Sequence, residues 1–296
     1  MKTLTKAIKI EQTQIQDSDL PSLRDAETYF GHIRSLTEYM RGGEVKTLSG
    51  NPKAKVALTD SNAKLVKEAK RGTGFAYMST TLLSGSVNGT CVNDKFCADT
   101  CVVQHSANRR MFGAVGAGVA SRTELFFTWP EAFARLMLRD LIAFARKKKV
   151  QGVKLRSRNN TGADLAWERI LPPVYWDTAR ELGVMHYDYT KRLDRVGYVN
   201  DVYRTAYSAT AFTRPATIAR LLNRGDTVAL VLPIPAGENA VVPTSWAGLP
   251  MVDGNAYDSR WDDPAGHLVG LTSKGVLLQN WRNTGVWGPL VTSLPR

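Results

Sequence analysis

No run of 18 or more apolar residues occurs in this chain, so hydropathy gives no candidate for a membrane-spanning helix. The first ten residues, Met1 to Ile10, also lack the apolar segment and small-residue cleavage site of a secretory signal, and a cytoplasmic location without membrane partners is the expectation. Nothing resembles a P-loop, a GxGxxG fingerprint, an HExxH helix or a GxSxG elbow. A nucleoside triphosphatase or a serine hydrolase is thereby disfavoured. Cysteine is nearly absent, with three residues in all. An odd count in a reducing compartment argues against a disulfide framework, although Cys91 and Cys101 have the option of pairing if a metal were lost.

Acidic residues are the other deficit. Lys and Arg number 39 against 27 Asp and Glu, a formal charge of +12 with a pI near 9.7. Such a balance suits a polyanionic partner, with nucleic acid or a nucleotide the natural candidate, and it equally suits a solvated basic surface. The diffuse basic stretch Lys46, Lys53, Lys55, Lys64, Lys67, Lys70 and Arg71 has no aromatic interleaving and reads as solvated surface.

What the chain does have is concentration. All three cysteines fall in Cys91-Val-Asn-Asp-Lys-Phe-Cys97-Ala-Asp-Thr-Cys101. Three residues placed at random would share an 11-residue window with a probability of roughly 0.4 per cent, from about 3 × (11/296)². Thiolates are soft ligands for zinc or iron–sulfur clusters, so a metal site is the expected cause. If a helix begins near Cys97, then Cys97, Cys101 and His105 share one face, and Cys91 reaches in from the preceding loop. Two metal readings follow: a closed tetrahedral zinc site completed by His105, or a four-iron cluster on three thiolates with one iron open. The alternative is three small buried hydrophobes, against which stand the polar neighbours Asn93, Asp94, Lys95, Asp99 and Thr100.

At 43% hydrophobic residues the 296-residue chain can build a substantial core. Residues 1–70 are polar and read as an N-terminal extension, with one helix over Ala26 to Met40. Residues 71–296 read as a β/α-barrel-like domain with an irregular C-terminal tail. The strand Gly74 to Leu83 comes first, then the cysteine loop. A capping box at Thr128-Trp-Pro-Glu131 opens an amphipathic helix through Phe133, Leu136, Met137, Leu141 and Phe144 that closes on Arg146-Lys-Lys-Lys149. Strands are expected at Gly152–Arg156, Val184–Tyr189, Tyr203–Tyr207, Thr227–Leu232 and Leu268–Leu271, with helices at Pro173–Leu182 and Pro215–Asn223. Repeated βα units make the expected fold class α/β, a partial or distorted β/α barrel or an open doubly wound sheet.

Strand ends are where ligands bind in such folds, and three polar clusters fall there. After the second strand, Arg156 and Arg158 offer a carboxylate or phosphate contact, and Asn159, Asn160 and Asp164 offer hydrogen bonds to a cofactor; a capped turn is the alternative. After the third, Asp188 and Lys191 are candidate acid and base, or a salt bridge, with Tyr187 and Tyr189 on the opposite face from His186 and Asp188. The acidic run Asp253 to Asp263 fits a cation site less well than a loop in which Arg260 neutralises carboxylates.

The order of these motifs resembles a phage protein family known as the gene product 88 family. The matching parts are the cysteine loop, Ser121-Arg-Thr-Glu-Leu-Phe, Asp164-Leu-Ala-Trp-Glu168, Tyr187-Asp-Tyr-Thr-Lys191, Asp253-Gly-Asn-Ala-Tyr-Asp-Ser-Arg260 and Gly270-Leu-Thr-Ser-Lys-Gly275. The resemblance covers about residues 80 to 275 and implies a phage or plasmid origin, hence a bacterial host cell, without implying a reaction. More distantly, the cysteine loop is similar to that of radical S-adenosylmethionine enzymes. That likeness implies a 4Fe-4S cluster on Cys91, Cys97 and Cys101, with S-adenosylmethionine contacted by residues such as Arg156, Asn159 and Asp164. The chain departs from that pattern in its spacing, five and three residues instead of three and two, and in Thr100 where an aromatic residue is usual. The competing expectation is a non-catalytic basic nucleic-acid-binding protein with structural zinc.

Overall fold

The computed structural model describes residues 10–11, 14–25, 57–59, 63–85, 89–91, 97, 101, 113–149, 151–237, 239–275 and 282. Helix α1 is Ala63–Lys70 and strand β1 is Phe75–Ser79; α2 (Gly113–Thr128) and α3 (Pro130–Lys149) follow the cysteine segment. Then come β2 (Lys154–Arg158), the short α4 (Trp167–Ile170), α5 (Pro173–Leu182) and β3 (Val184–Thr190). The remainder is β4 (Gly197–Asn200), β5 (Tyr203–Ser208), α6 (Pro215–Asn223), β6 (Val228–Pro235), β7 (Ser245–Trp246), β8 (Leu249–Asp253) and β9 (Leu268–Ser273). The helix expected over Ala26 to Met40 and the tryptophans Trp281 and Trp287 lie outside the described residues.

The chain divides into two compact units, Met1–Val92 with Asn108–His186, and Asn93–Ala107 with Tyr187–Arg296. In the first, β1, β2 and the start of β3 run parallel, with Phe75 opposite Lys154 and Ser157 opposite His186. In the second, the order from the end of β3 is β3-β5-β6-β9-β8-β7, with β4 antiparallel on β5. Pairings β5–β6, β6–β9 and β8–β9 are parallel. The protein is thus mixed α/β with nine mostly parallel strands.

The closure expected of a barrel is absent among the described residues, where no hydrogen-bond ladder joins the strands into a ring. The reason is visible in the second unit: β9 inserts between β6 and β8, out of chain order, and the edge is finished by a tight antiparallel pair. That pair turns through Ala247 (φ 49°) and Gly248 (φ 77°), two left-handed residues that suit the twist of a two-residue hairpin.

The first unit is built on amphipathic helices. Helix α3 buries Phe133, Leu136, Met137, Leu141 and Phe144, the stripe legible in the sequence. Phe133 stacks on Trp167 at 6.2 Å, and Phe126 of α2 meets the same indole edge-on at 5.4 Å. Within residues 1–70, Ile15, Leu20, Ala57, Leu58 and Leu65 are buried, and Thr59 bridges Ser79. Asp140 of α3 holds them, its carboxylate accepting from the amides of Ala57 (2.7 Å) and Leu58 (3.1 Å) and from Arg139 Nη2 (2.7 Å). Burial pushes the Asp140 carboxyl up, and the Arg139 charge opposes that rise. Asp140→Ala leaves two buried amides without acceptors and is expected to cost about 2–4 kcal/mol, read by urea unfolding. A loss under about 1 kcal/mol would show that solvent replaces the carboxylate.

In the second unit the core is Tyr207, Ile218, Leu221, Leu222, Val228, Leu230, Leu232, Trp246, Met251 and Leu268. Both faces of β6 are covered at Val228 to Leu230, as parallel strands require. Among the described residues no helix is long and apolar enough to cross a membrane.

Candidate functional site

The cysteine segment starts where β1 has ended, and its first part is fixed to the first unit. Thr90 accepts a hydrogen bond from the Asp164 amide at 2.8 Å, and its own amide donates to Gly85 O at 3.3 Å. Cys91 Sγ accepts from the Gly85 amide at 3.3 Å and lies 3.7 Å from Gly162 O. The cysteine thus sits on the turn that follows β2, at the carboxyl ends of parallel strands.

That turn is organised by Asn160. Its Nδ2 donates to Leu165 O (2.8 Å), while its Oδ1 accepts from the Leu165 amide (3.1 Å) and from Trp167 Nε1 (3.1 Å). Asn160 is therefore committed to structure, anchoring the turn in the aromatic core. Asn159, one residue earlier and buried, differs: its Oδ1 accepts from Ser157 Oγ at 2.8 Å, and its Nδ2 has no hydrogen-bond partner. Asp164 is buried with its amide on Thr90. Arg156 lies on the other face of β2 by strand alternation from Ser157, its guanidinium 5.1 Å from the Phe75 ring centre and donating to Leu155 O. The structure brings Cys91, Asn159 and Asp164 to one turn and places Arg156 in a cation–π contact.

Cys97 and Cys101 belong to the second unit and, like Cys91, are half-buried and form no disulfide. Among the described residues no three His, Cys, Asp or Glu side chains are gathered to hold a metal ion. His105 lies outside the described residues.

In the second unit Asp188 and Lys191 each have structural partners. Tyr203 OH donates to Asp188 Oδ2 at 2.8 Å and accepts from Arg195 Nη2 at 3.0 Å. Lys191 Nζ donates to Ser208 Oγ at 2.8 Å, tying the end of β3 to the end of β5. Asp188, Arg195 and Tyr203 are all buried, so the phenol bridges the guanidinium and the carboxylate by two hydrogen bonds in a low-dielectric setting.

The acidic run Asp253 to Asp263 is a connection between parallel strands β8 and β9. Tyr187 OH donates to Asp258 Oδ2 at 2.8 Å, and Arg260 Nε lies 3.4 Å from Asp263 Oδ2. Arg260 also donates to the carbonyls of Asp258, Gly254 and Tyr257. Arg204 of β5 reaches the same loop, its Nη1 within 3.2 Å of Trp261 O. Burial alone would push the Arg260 guanidinium down, but the charges of Tyr189, Asp263, Asp258 and Tyr187 outweigh it and raise it. Burial pushes Asp263 up to about 6 against the pull of Arg260 and Arg204.

Sequence reasoning missed Tyr203, Arg195, Ser208 and Arg204. All lie in or beside segments legible as strands, where polar residues at alternate positions were the available signal. The hydrogen bonds join residues 8 to 17 apart in the chain, which periodicity does not report.

A model of the Gene product 88 family matches residues 56–285, which is 230 of the 296 residues and takes in all six motifs named above. No curated protein matches the chain, and no solved structure does.

Proposed function

This chain belongs to the Gene product 88 family, and from that membership and its cysteines we propose a phage-encoded metalloprotein whose Cys91, Cys97 and Cys101 thiolates hold an iron–sulfur cluster. Its substrate class is nucleic acid or nucleotide. The observation that carries the reading is the confinement of every cysteine to 11 residues without a disulfide, with the first sulfur already accepting a backbone N–H. In this reading the cysteine loop closes on the metal, with binding energy supplying local folding. A cluster with an open iron supplies one-electron chemistry to a bound cofactor such as S-adenosylmethionine. Asn159, with its unpartnered Nδ2, and Asp164 are the cofactor contacts this reading assigns, and Asp188 and Lys191 the groups nearest substrate.

A second reading is favoured by one observation: Asp188 and Lys191, the proposed acid and base, already hydrogen-bond Tyr203 and Ser208. In that reading zinc on the cysteines and His105 stabilises a basic nucleic-acid-binding protein without catalysis.

Metal analysis separates the two. Anaerobic purification with iron and sulfide is expected to give a brown protein with the broad visible absorption of a cluster, and Cys97→Ala is expected to lose colour and iron together while keeping its far-UV circular dichroism. A colourless protein holding one zinc per chain overturns the cluster, and a Cys97→Ala variant that keeps its full metal content removes the site.

A further inference from the structure

Arg122 of α2 stands in Ser121-Arg-Thr-Glu-Leu-Phe, a motif to which the reading above gives no role. Its Nε donates to Thr81 O at 3.3 Å, two residues beyond the end of β1. Neither Nη1 nor Nη2 makes a hydrogen bond or an ion pair among the described residues, although the side chain is half-buried. Burial pushes the guanidinium down, and the charge of Asp140 opposes that fall without cancelling it. Asp140 is occupied elsewhere, by the amides of Ala57 and Leu58 and by Arg139. A cation drawn out of water without a paired carboxylate weakens a fold, so the arginine is not explained by stability.

Glycine keeps the space beside it open. A Cβ at Gly118, one turn earlier in α2, would lie 3.7 Å from Nη1 and 3.9 Å from Nη2 and would meet no other described atom within 4 Å. Glycine is a poorer helix former than alanine, so this position gives up helix stability and leaves the Nη edge uncovered. The helix itself is pinned to the strand end: Thr123 Oγ1 accepts from the Leu83 amide at 2.7 Å and donates to Val119 O at 2.8 Å. Thr80, next to the residue that anchors Arg122, is bonded on both sides of Asn159: its amide donates to Arg158 O (3.1 Å) and its carbonyl accepts from the Thr161 amide (3.3 Å). Asn159 is buried with Nδ2 unpartnered. Two elements bonded to Thr80 and Thr81 therefore carry N–H donors without acceptors, at the carboxyl ends of adjacent parallel strands, where α/β folds bind ligands.

Spare donors, one of them cationic, select an anion. With Nε committed to Thr81, the Nη1–Nη2 edge keeps two parallel N–H groups, the fork that matches two oxygens of a phosphate or a carboxylate. We propose that Arg122 binds the terminal oxyanion, phosphate or carboxylate, of a small ligand at the carboxyl end of β1, in the space that Gly118 leaves beside it. A half-buried fork suits a group at the end of a molecule better than a phosphodiester that carries a sugar on each side. The proposal goes beyond the reading above and does not rest on the metal.

The test is thermal unfolding of the full chain with AMP, inorganic phosphate, succinate and adenosine, since a ligand that binds only the folded chain raises Tm with its concentration. AMP or succinate is expected to raise Tm and adenosine to leave it unchanged; a response to AMP and phosphate identifies a phosphate ligand, a response to succinate alone a carboxylate. Arg122→Met is expected to weaken the responding anion by about 10- to 100-fold, the range of hydrogen bonds to a charged group, without lowering the unliganded Tm. Gly118→Leu keeps the arginine, fills the space and should lose the same response. Equal shifts in wild type and Arg122→Met are a general salt effect and overturn the proposal, as does a wild type that answers to no anion. An unliganded Tm that falls in Arg122→Met, with the response intact in Gly118→Leu, makes the arginine structural and overturns it too. A 5′-hydroxyl oligothymidylate that raises Tm through Arg122 where AMP does not would overturn the small ligand. A Cys91/Cys97/Cys101→Ser variant that still answers to the anion keeps Arg122 in its role while the cluster falls. A cluster-bearing protein without the response sinks the oxyanion contact alone.

Discussion

Arg260→Met is expected to destabilise the second unit by roughly 3–5 kcal/mol, the usual cost of leaving a buried charge without its partner. Asp263 would remain buried with Oδ2 bare, and the carbonyls of Asp258, Gly254 and Tyr257 would lose their donor. Asp258 would keep Tyr187 but lose the neighbouring positive charge. The measurement is thermal unfolding, with a fall in Tm of roughly 10 °C. The double variant Arg260→Met/Asp263→Leu removes both charges and should recover part of the loss, since an apolar pair of similar volume replaces a buried ion pair at little cost. If the double variant were as unstable as the sum of the singles, the pair would not be the cause, and the carbonyl contacts would be. That outcome would shift the explanation from charge to loop geometry. Gly254 belongs to the same account: a Cβ there would meet Val269 Cγ1 at 2.3 Å and Arg260 Nη1 at 2.8 Å, so the loop closes tightly against β9.

How far the sequence announced this can be judged element by element. Helices α5 and α6 are legible to the residue because proline opens each and a clear apolar stripe follows, with Gly183 in the left-handed region ending α5. Strands β3, β5, β6 and β9 are legible from alternation or short apolar runs. Helix α2 is not, since Gly-Ala-Val-Gly-Ala-Gly-Val-Ala carries no polar face to give a period, and its later turns are apolar on several sides. Nor is the strand order, because β9 entering between β6 and β8 depends on pairings that no local pattern encodes. At the site, the cysteines and the turn after β2 were readable as residue types in a suggestive place. Which of two adjacent asparagines is committed to structure was not: Asn160 is locked by Leu165 and Trp167, whereas Asn159 keeps an open donor. The arginine anchoring of the Asp253–Asp263 loop was legible in part, through Arg260, while Arg204 is 56 residues away from it and gave no signal.

Stability against acid should depend on His186 more than on any other described histidine. It is fully buried on β3, with Tyr175 at 5.7 Å and Trp176 at 5.2 Å between ring centres, and burial pushes it down to about 3. Its folded value lies below the unfolded one of 6.5, so its contribution is complete above pH 6.5 and is lost as the pH falls towards 3, where the unfolded chain binds the proton that the folded one refuses. The shift of 6.5 − 3 = 3.5 units corresponds to about 4–5 kcal/mol at the acid end, and to roughly 2 kcal/mol already by pH 5. Asp263 runs the other way. Its folded value of about 6 stands above the unfolded 3.8, so its contribution is present below pH 3.8 and is lost as the pH rises through 6. Urea unfolding at pH 7, 5 and 4 therefore distinguishes the two groups by the sign of their effect on the slope. His186→Phe, which keeps a ring against Tyr175 and Trp176, is expected to flatten the loss of stability with acid, and Asp263→Asn to steepen it. A His186→Phe protein with the wild-type slope would mean that the imidazole is protonated in the folded state and that the aromatic pocket admits water.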